Sequence, residues 1–233
     1  MSTSVTTMNQ SRSPEYALRD AEWWVFDLDN TLYPASSDLF PQVDKKMTRF
    51  IADFLDLDLA QAGELRRTYY LEHGTTLSGL MALHGMDPKD FLDYVHDIDL
   101  TAVTPDTAMG RALSRLPGRK VIFTNGPTDH AERILARLSL SHHFEDIYDI
   151  VGANYIPKPK PEPYDDLVRR CRLNPSRTVM VEDLARNLAP AAALGMTTVW
   201  VRSNSEIETN QSSEHVDHVV DDLAQWLGAL TDG

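Results

Sequence analysis

Trp23, Trp24, Val25 and Phe26 form an aromatic and β-branched run that stops abruptly at Asp27, the pattern of a short buried strand ending in a polar loop. After Tyr33 and Pro34 the period changes. Leu39, Val43, Met47, Phe50, Ile51 and Phe54 recur at helical spacing behind Ser36-Ser37-Asp38, which predicts an amphipathic helix. Asp58 is placed to cap a second helix running through Leu65 to Tyr70. His73-Gly74-Thr75 breaks it, and a third helix carrying Leu77, Leu80 and Met81 ends at Gly85. Asp87-Pro88 starts a fourth, whose apolar face is Phe91, Leu92 and Val95. No strand pattern interrupts this block.

From Thr104 onward strand and helix alternate. A helix with Ala112, Leu113 and Leu116 meets the Pro117-Gly118 break, and Val121-Ile122-Phe123 then reads as a buried strand ending at Thr124-Asn125-Gly126. Thr128-Asp129 opens a helix through Ile134, Leu135 and Leu138. A short apolar segment around Ile147 to Val151, a loop rich in Pro and Lys, and a helix near Tyr164 to Cys171 follow. Thr178 to Val181 is a strand ending at Glu182-Asp183, and Leu184 to Leu194 is helical with Gly195 placed to close it. Thr198 to Val201 and Val216 to Val220 read as further strands, Ser203 to Ser213 as a polar loop, and Leu223 to Leu230 as a last helix. The expected fold is α/β: a Rossmann-like parallel sheet with helices on both faces, interrupted by an inserted all-helical cap. The expected division is a disordered leader over residues 1–20, a core over 21–33 and 104–233, and the cap over 34–103.

Composition narrows the class of protein. The chain has 233 residues, 42% apolar and 24% charged, ordinary for a globular protein and long enough for a core with an insert. Its 35 acids against 22 bases give a net charge of −13, which speaks against a nucleic-acid partner and requires any phosphate site to be locally positive. Cys171 is the single cysteine. An intrachain disulfide is therefore impossible, and a metal site would rest on oxygen or nitrogen ligands. No apolar run has the length of a signal peptide or a bilayer span, so the expected setting is cytoplasmic, with no membrane partner.

Three predicted strands end in polar groups, and parallel strands bring their carboxyl ends to one edge, so Asp27, Asp29, Thr124, Asn125, Glu182 and Asp183 can converge there. Two acids two residues apart can share one phosphorus centre, one as nucleophile and the other as proton donor to the leaving oxygen. The alternative is a pair of turn-capping acids. Thr124 can donate a hydroxyl hydrogen bond to a phosphoryl oxygen, and Asn125-Gly126 can add amide donors without a side chain blocking approach. Lys158, in Lys158-Pro159-Lys160-Pro161-Glu162-Pro163-Tyr164, supplies a point charge from a stiff loop. Asp183 with Asp27 offers the oxygen ligands that Mg²⁺ prefers, with Glu182 as a further candidate.

These four segments, in this order, resemble the four motifs of the haloacid dehalogenase superfamily of phosphohydrolases, and the helical insert after the first motif resembles that superfamily's first type of cap. Within it, Asp27-Leu28-Asp29-Asn30-Thr31-Leu32-Tyr33, Phe123-Thr124-Asn125-Gly126 and Glu182-Asp183-Leu184-Ala185-Arg186-Asn187-Leu188 look most like the pyrimidine 5′-nucleotidase branch. The resemblance implies Mg²⁺-dependent hydrolysis of a small phosphorylated metabolite, a nucleoside 5′-monophosphate first, with Asp27 as nucleophile and Asp29 as acid and then base. It implies a metal held by the Asp27 carboxylate, the Asp29 backbone carbonyl and Asp183, and phosphate held by Thr124, Asn125, Gly126 and Lys158. Asn187 stands where many relatives carry an acid. Lys160-Pro161 offers a second register for the third motif, and the spacing to Tyr164 favours Lys158. Other readings are a phosphatase of another small metabolite such as a sugar phosphate, a phosphomutase, a dehalogenase, which would not need Asp29, and a non-catalytic binding protein. In the cap, Tyr69, Tyr70, His73, Thr75 and Thr76 are candidates to contact the leaving group, against a packing role for each. A monomer and a homodimer are equally compatible with the sequence.

Overall fold

The computed structural model describes residues 18–202 and 214–231. Residues 1–17 of the expected leader and the polar loop 203–213 lie outside the described residues. Leu18, within the expected leader, is buried in the core, while Arg19 and Asp20 are exposed.

Six strands form one sheet: β1 (Trp23–Phe26), β2 (Arg119–Phe123), β3 (Asp146–Tyr148), β4 (Thr178–Glu182), β5 (Thr197–Val201) and β6 (His218–Val220). They lie in the order β3-β2-β1-β4-β5-β6, and every pairing is parallel. The chain therefore runs outward from β1 in one direction and then crosses to its other side. The crevice at such a switch point, beyond the carboxyl ends of the strands, is where open α/β sheets bind ligands.

Burial explains why β1 has no polar alternation. Trp24 and Phe26 point into one apolar layer and Trp23 and Val25 into the other, and all four are buried, as expected of a strand covered on both faces. The first layer is closed by α5 (Thr107–Arg115), α6 (Thr128–Leu138) and α9 (Leu223–Thr231). The second is closed by α7 (Pro161–Cys171) and α8 (Ala185–Ala193).

The insert between β1 and α5 is helical: α1 (Leu39–Leu55), α2 (Leu59–His73), α3 (Thr76–His84) and α4 (Pro88–Val95). Its helix boundaries follow local chemistry. Asp58 caps α2 in a reciprocal box with Gln61, and Asp87 caps α4 ahead of Pro88. Val43, Ile51, Tyr69, Leu80, Phe91 and Val95 pack into an apolar cluster of their own, which also takes in Ile150 from the loop after β3. The cap thus has its own interior and rests on the core. Among the described residues, no helix is long and apolar enough to cross a membrane.

One cap of a core helix comes from far along the chain. Thr128 opens α6 as its spacing predicts, but no side chain of Pro127, the N-cap residue, caps the helix. Asp149, from the loop after β3, instead accepts from Thr128 N and Oγ1, both at 2.8 Å, so the start of α6 is tied to the carboxyl edge of the sheet.

Candidate active site

The first site loop is fixed by its own short-range hydrogen bonds. Asp27 N donates to Val181 O (2.9 Å), extending the β1–β4 ladder one step past the strand. Asn30 then takes a left-handed conformation, φ 61°, which asparagine tolerates better than most residues. The chain folds back: Thr31 Oγ1 donates to Asp27 Oδ2 (2.9 Å) and Tyr33 OH to Asp29 Oδ1 (2.6 Å). Each carboxylate is thereby held by the residue four positions on. Thr31 and Tyr33 belong to the quoted motif, but their holding roles were not legible from residue type.

The lysine arrives from the opposite side of the edge. Lys158 is buried, and its Nζ donates to Asp27 Oδ1 (2.7 Å), Glu182 Oε2 (2.6 Å) and Phe123 O (2.8 Å). Asn125 clamps its backbone, accepting from Lys158 N (2.8 Å) and donating to Lys158 O (3.3 Å). The Asn125 side chain is thus spent on the lysine loop, and Thr124 Oγ1 accepts from Gly126 N (2.9 Å). Lys160 is exposed at the start of α7, so of the two lysines Lys158 is the one that reaches Asp27 and Glu182.

The carboxylates of Asp27, Glu182 and Asp183 are all buried, and one oxygen of each lies within 4.8 Å of the others. Lys158 supplies one positive charge against these three acids. Burial and neighbouring Glu182 push Asp27 up to about 7 despite Lys158. Burial and Glu182 likewise raise Asp183 well above the usual carboxylate range. Burial opposes the charge on Lys158, but Asp27 and Glu182 together hold its ammonium above its ordinary value. An all-oxygen cluster short of positive charge suits a hard divalent cation. Both Glu182 oxygens are already engaged, Oε2 by Lys158 and Oε1 by Leu184 N (3.3 Å). Both Asp27 oxygens are engaged as well, Oδ1 by Lys158 and Oδ2 by Thr31, so Asp27 and Glu182 share the task of holding the lysine, and a cation would meet all three acids. Asn187 is buried with its Oδ1 lacking a hydrogen-bond partner, a further oxygen beside this cluster in sequence.

Asp29 is set apart from this group. Burial would raise its carboxyl, but His130, 3.0 Å away through Nε2, together with Tyr33 brings it down to about 2. Both hydrogen bonds fall on Oδ1, leaving Oδ2 to face other partners. His130 stands in the first turn of α6, just beyond the Thr124-Asn125-Gly126 loop, and sequence reasoning missed it. The available signal was a histidine one turn into the helix that follows a strand ending in site residues. Beside it His96 is lowered to about 4, by burial first and then by His130, so its ring is neutral near pH 7.

The cap candidates divide. Tyr69 is buried inside the cap cluster with its hydroxyl 2.6 Å from His84 Nε2, and His73 meets its ring edge-on. Thr75 caps α3 by accepting from Ser78 N, and Thr76 is buried with Oγ1 donating to Arg66 O. These four make their contacts within the cap. Tyr70 alone reaches the core, where Arg186 Nη2 donates to its hydroxyl (2.5 Å) and the guanidinium lies 4.7 Å from its ring centroid. Arg186 follows Asp183 by three residues, so this cap–core contact stands next to the acidic cluster.

Comparison with known proteins agrees with the geometry. The haloacid dehalogenase-like hydrolase family matches residues 24–195. The chain is similar to phosphate metabolism protein 8 of Saccharomyces cerevisiae, 27% identical over 189 residues covering 73% of this chain and 58% of that protein. It is also similar to phosphoglycolate phosphatase of Haemophilus influenzae, 28% identical over 111 residues, 47% and 48% of the two chains. The chain thus spans about half the length of these relatives. Among solved structures, a HAD phosphatase from Thermococcus onnurineus superposes with a TM-score of 0.61 at 18% identity, covering 90% of this chain and 97% of that one. L-2-haloacid dehalogenase from Xanthobacter autotrophicus superposes with a TM-score of 0.56, also at 18% identity, over 90% and 98%. These two likenesses speak to fold. With a family match running from β1 to the loop after α8 and a parallel sheet that gathers the matched motifs at one edge, the chain belongs to the haloacid dehalogenase-like hydrolases.

Proposed function

We propose that the protein is a Mg²⁺-dependent phosphomonoesterase that works through an aspartyl phosphate on Asp27. The observation that carries this reading is the pair at the end of β1: Asp27, held between Thr31 and Lys158, and Asp29, held separately by Tyr33 and His130. One acid is fixed as a nucleophile and the other stands two residues away with Oδ2 available.

In the first step an Asp27 carboxylate oxygen attacks phosphorus as the bond to the ester oxygen breaks, and Asp29 gives that oxygen a proton. In the second, Asp29 takes a proton from water as the water attacks phosphorus, and Asp27 leaves as carboxylate. Asp29 is ionised in the free protein, the form that can accept the proton in the second step. In the first, the negative charge of the incoming phosphate raises its proton affinity. The Thr124 hydroxyl and the backbone amide of Asn125 hold phosphoryl oxygens, the Gly126 amide supports Thr124 Oγ1, and the Lys158 charge offsets that of the phosphate. Mg²⁺, held by the Asp27 carboxylate, the Asp29 carbonyl and Asp183, would supply further screening of that charge.

The dehalogenase reading is weaker, because halide departs without a proton and leaves Asp29 with no task. For substrate we infer a nucleoside 5′-monophosphate, a pyrimidine first, resting on the motif likeness to the pyrimidine 5′-nucleotidase branch with its first-type cap. A second reading has a specific support. The Haemophilus relative is named for phosphoglycolate, and Arg186 against Tyr70 is a cationic group at the cap boundary that a substrate carboxylate would recognise. A phosphate-release screen of the protein with Mg²⁺ against nucleotides, sugar phosphates and phosphorylated carboxylic acids separates the two. Release from none of them would overturn the phosphatase reading.

A further inference from the structure

The last helix of the cap ends on the core, next to the residue that holds Asp29. α4 stops at His96, whose Nδ1 donates to Leu92 O (3.0 Å). Its ring centroid lies 4.7 Å from that of His130, with the planes at 51°. One turn further along α6, Arg133 Nη2 donates to His96 O (2.6 Å), and Arg137 Nη2 reaches Thr101 O (3.3 Å). One face of α6, at positions 130, 133 and 137, therefore seats the segment by which the chain leaves the cap.

His130 needs this support. Its side chain is 2% exposed, its Nε2 is bonded to Asp29, and its Nδ1 has no hydrogen-bond partner. A single hydrogen bond leaves the ring torsion poorly determined, since χ2 of histidine is broad. Packing must then fix it. Gly126 bounds the ring from the phosphate loop: a Cβ there would lie 3.4 Å from His130 Cδ2 and 3.6 Å from His96 Nε2. His96 packs against the ring at a tilt from the cap.

We propose that His96 is a positioning residue for Asp29, acting through His130, so that the seating of the cap on α6 aims the proton-transferring carboxylate. The inference rests on the reading of Asp29 as acid and base. Oδ1 is held by Tyr33 from the motif loop and by His130 from α6, and only the second hold depends on the cap. Loss of the His96 ring lets His130 turn, and the carboxylate loses one of its two guides while the nucleophile, lysine and phosphate loop stay in place.

The test is kcat/KM, which reports the first phosphoryl transfer, for an alkyl phosphomonoester and for p-nitrophenyl phosphate. Nitrophenolate leaves without a proton, so the ratio of the two values isolates acid catalysis and is insensitive to the fraction of folded protein. Asp29→Asn sets the scale, since general acids contribute about 10²–10⁴. His96→Ala is expected to lower the alkyl-to-aryl ratio about tenfold, His96→Phe to retain it because an aromatic ring still packs against His130, and His130→Gln to retain more than His130→Ala because its amide can still reach Asp29. His96→Ala added to His130→Ala should lower the ratio no further, as members of one chain of support are not additive. A shift in ratio for Asp29→Asn but none for His96→Ala, or an equal effect of His96→Ala and His96→Phe, overturns the positioning role while leaving the phosphatase reading intact. No shift for Asp29→Asn overturns the acid role and the inference with it.

Discussion

Lys158 Nζ meets Asp27 Oδ1 at 2.7 Å, the two side chains being 1% and 8% exposed. Their contact joins the third motif to the first across the edge of the sheet. A lysine enclosed this way cannot be exchanged for solvent. Lys158→Ala would leave Asp27 and Glu182 facing each other without a counter-charge, and breaking a buried pair from one side costs about 3–5 kcal/mol. Lys158→Ala is expected to reduce both turnover and thermal stability severely, whereas Lys160→Ala, at an exposed position, leaves both near wild type. Steady-state assays and thermal melts of the two variants check this, and the reverse ranking would move the third motif by two residues.

Asp29→Asn keeps the shape of the side chain but removes its ability to carry a proton. The loss in kcat/KM is expected to reach about 10²-fold or more for alkyl esters and to be markedly smaller for p-nitrophenyl phosphate. Equal losses on both esters would count against the acid role.

The acidic cluster makes cation binding depend on pH. Asp27 ionises near 7 in the folded protein against 3.8 as a free side chain, so between those values the folded chain binds more protons than the unfolded one. In the absence of a divalent cation, this carboxyl contributes stability that is full below pH 3.8 and is lost as pH rises through 7. A cation takes the place of the proton. Mg²⁺ is therefore expected to raise the melting temperature more at pH 8 than at pH 5.5, relative to a chelator, and to be required for turnover. A larger gain at the acid pH, or full activity in excess chelator, would contradict this.

Substrate choice should respond to Tyr70 and Arg186 more than to the turn at His73 to Thr76. Tyr70→Phe and Arg186→Gln are expected to change the ranking of kcat/KM among nucleotides and phosphorylated carboxylic acids, with p-nitrophenyl phosphate less affected. Thr75→Ala removes a helix cap, a loss of about 1 kcal/mol in stability, and should leave that ranking unchanged. An altered ranking in Thr75→Ala would return the selecting surface to the turn.

The sheet and the order of motifs were legible because each rests on local pattern. Trp23 to Phe26 had to be a strand covered on both faces, and the polar stops at Asp27, Thr124 and Glu182-Asp183 marked one edge. The helices of the cap were readable from Asp58, Gly85 and Asp87-Pro88, whose capping chemistry is contained in a few residues. What stayed hidden depends on contacts between distant positions. The link from His96 to His130 spans 34 residues of chain and the link from Tyr70 to Arg186 spans 116, and neither follows from any periodicity. Tyr69 and Tyr70 are adjacent in an unremarkable helix, so only the three-dimensional packing shows that one faces the cap interior and the other the core. Asn125 offered the same surprise: a residue expected to serve phosphate spends its side chain on the Lys158 backbone.

Covalent phosphorylation of Asp27 can be caught by chemical trapping. The protein is mixed with p-nitrophenyl phosphate and Mg²⁺, quenched in acid during turnover, treated with borohydride, and digested for peptide mass spectrometry. Borohydride reduces an aspartyl phosphate to homoserine and releases phosphate, whereas a free carboxylate is left unchanged. Homoserine is expected at position 27, absent without substrate and absent in Asp27→Asn. Turnover with Asp27 unmodified at every quench time, or homoserine at another acid, would contradict Asp27 as the nucleophile.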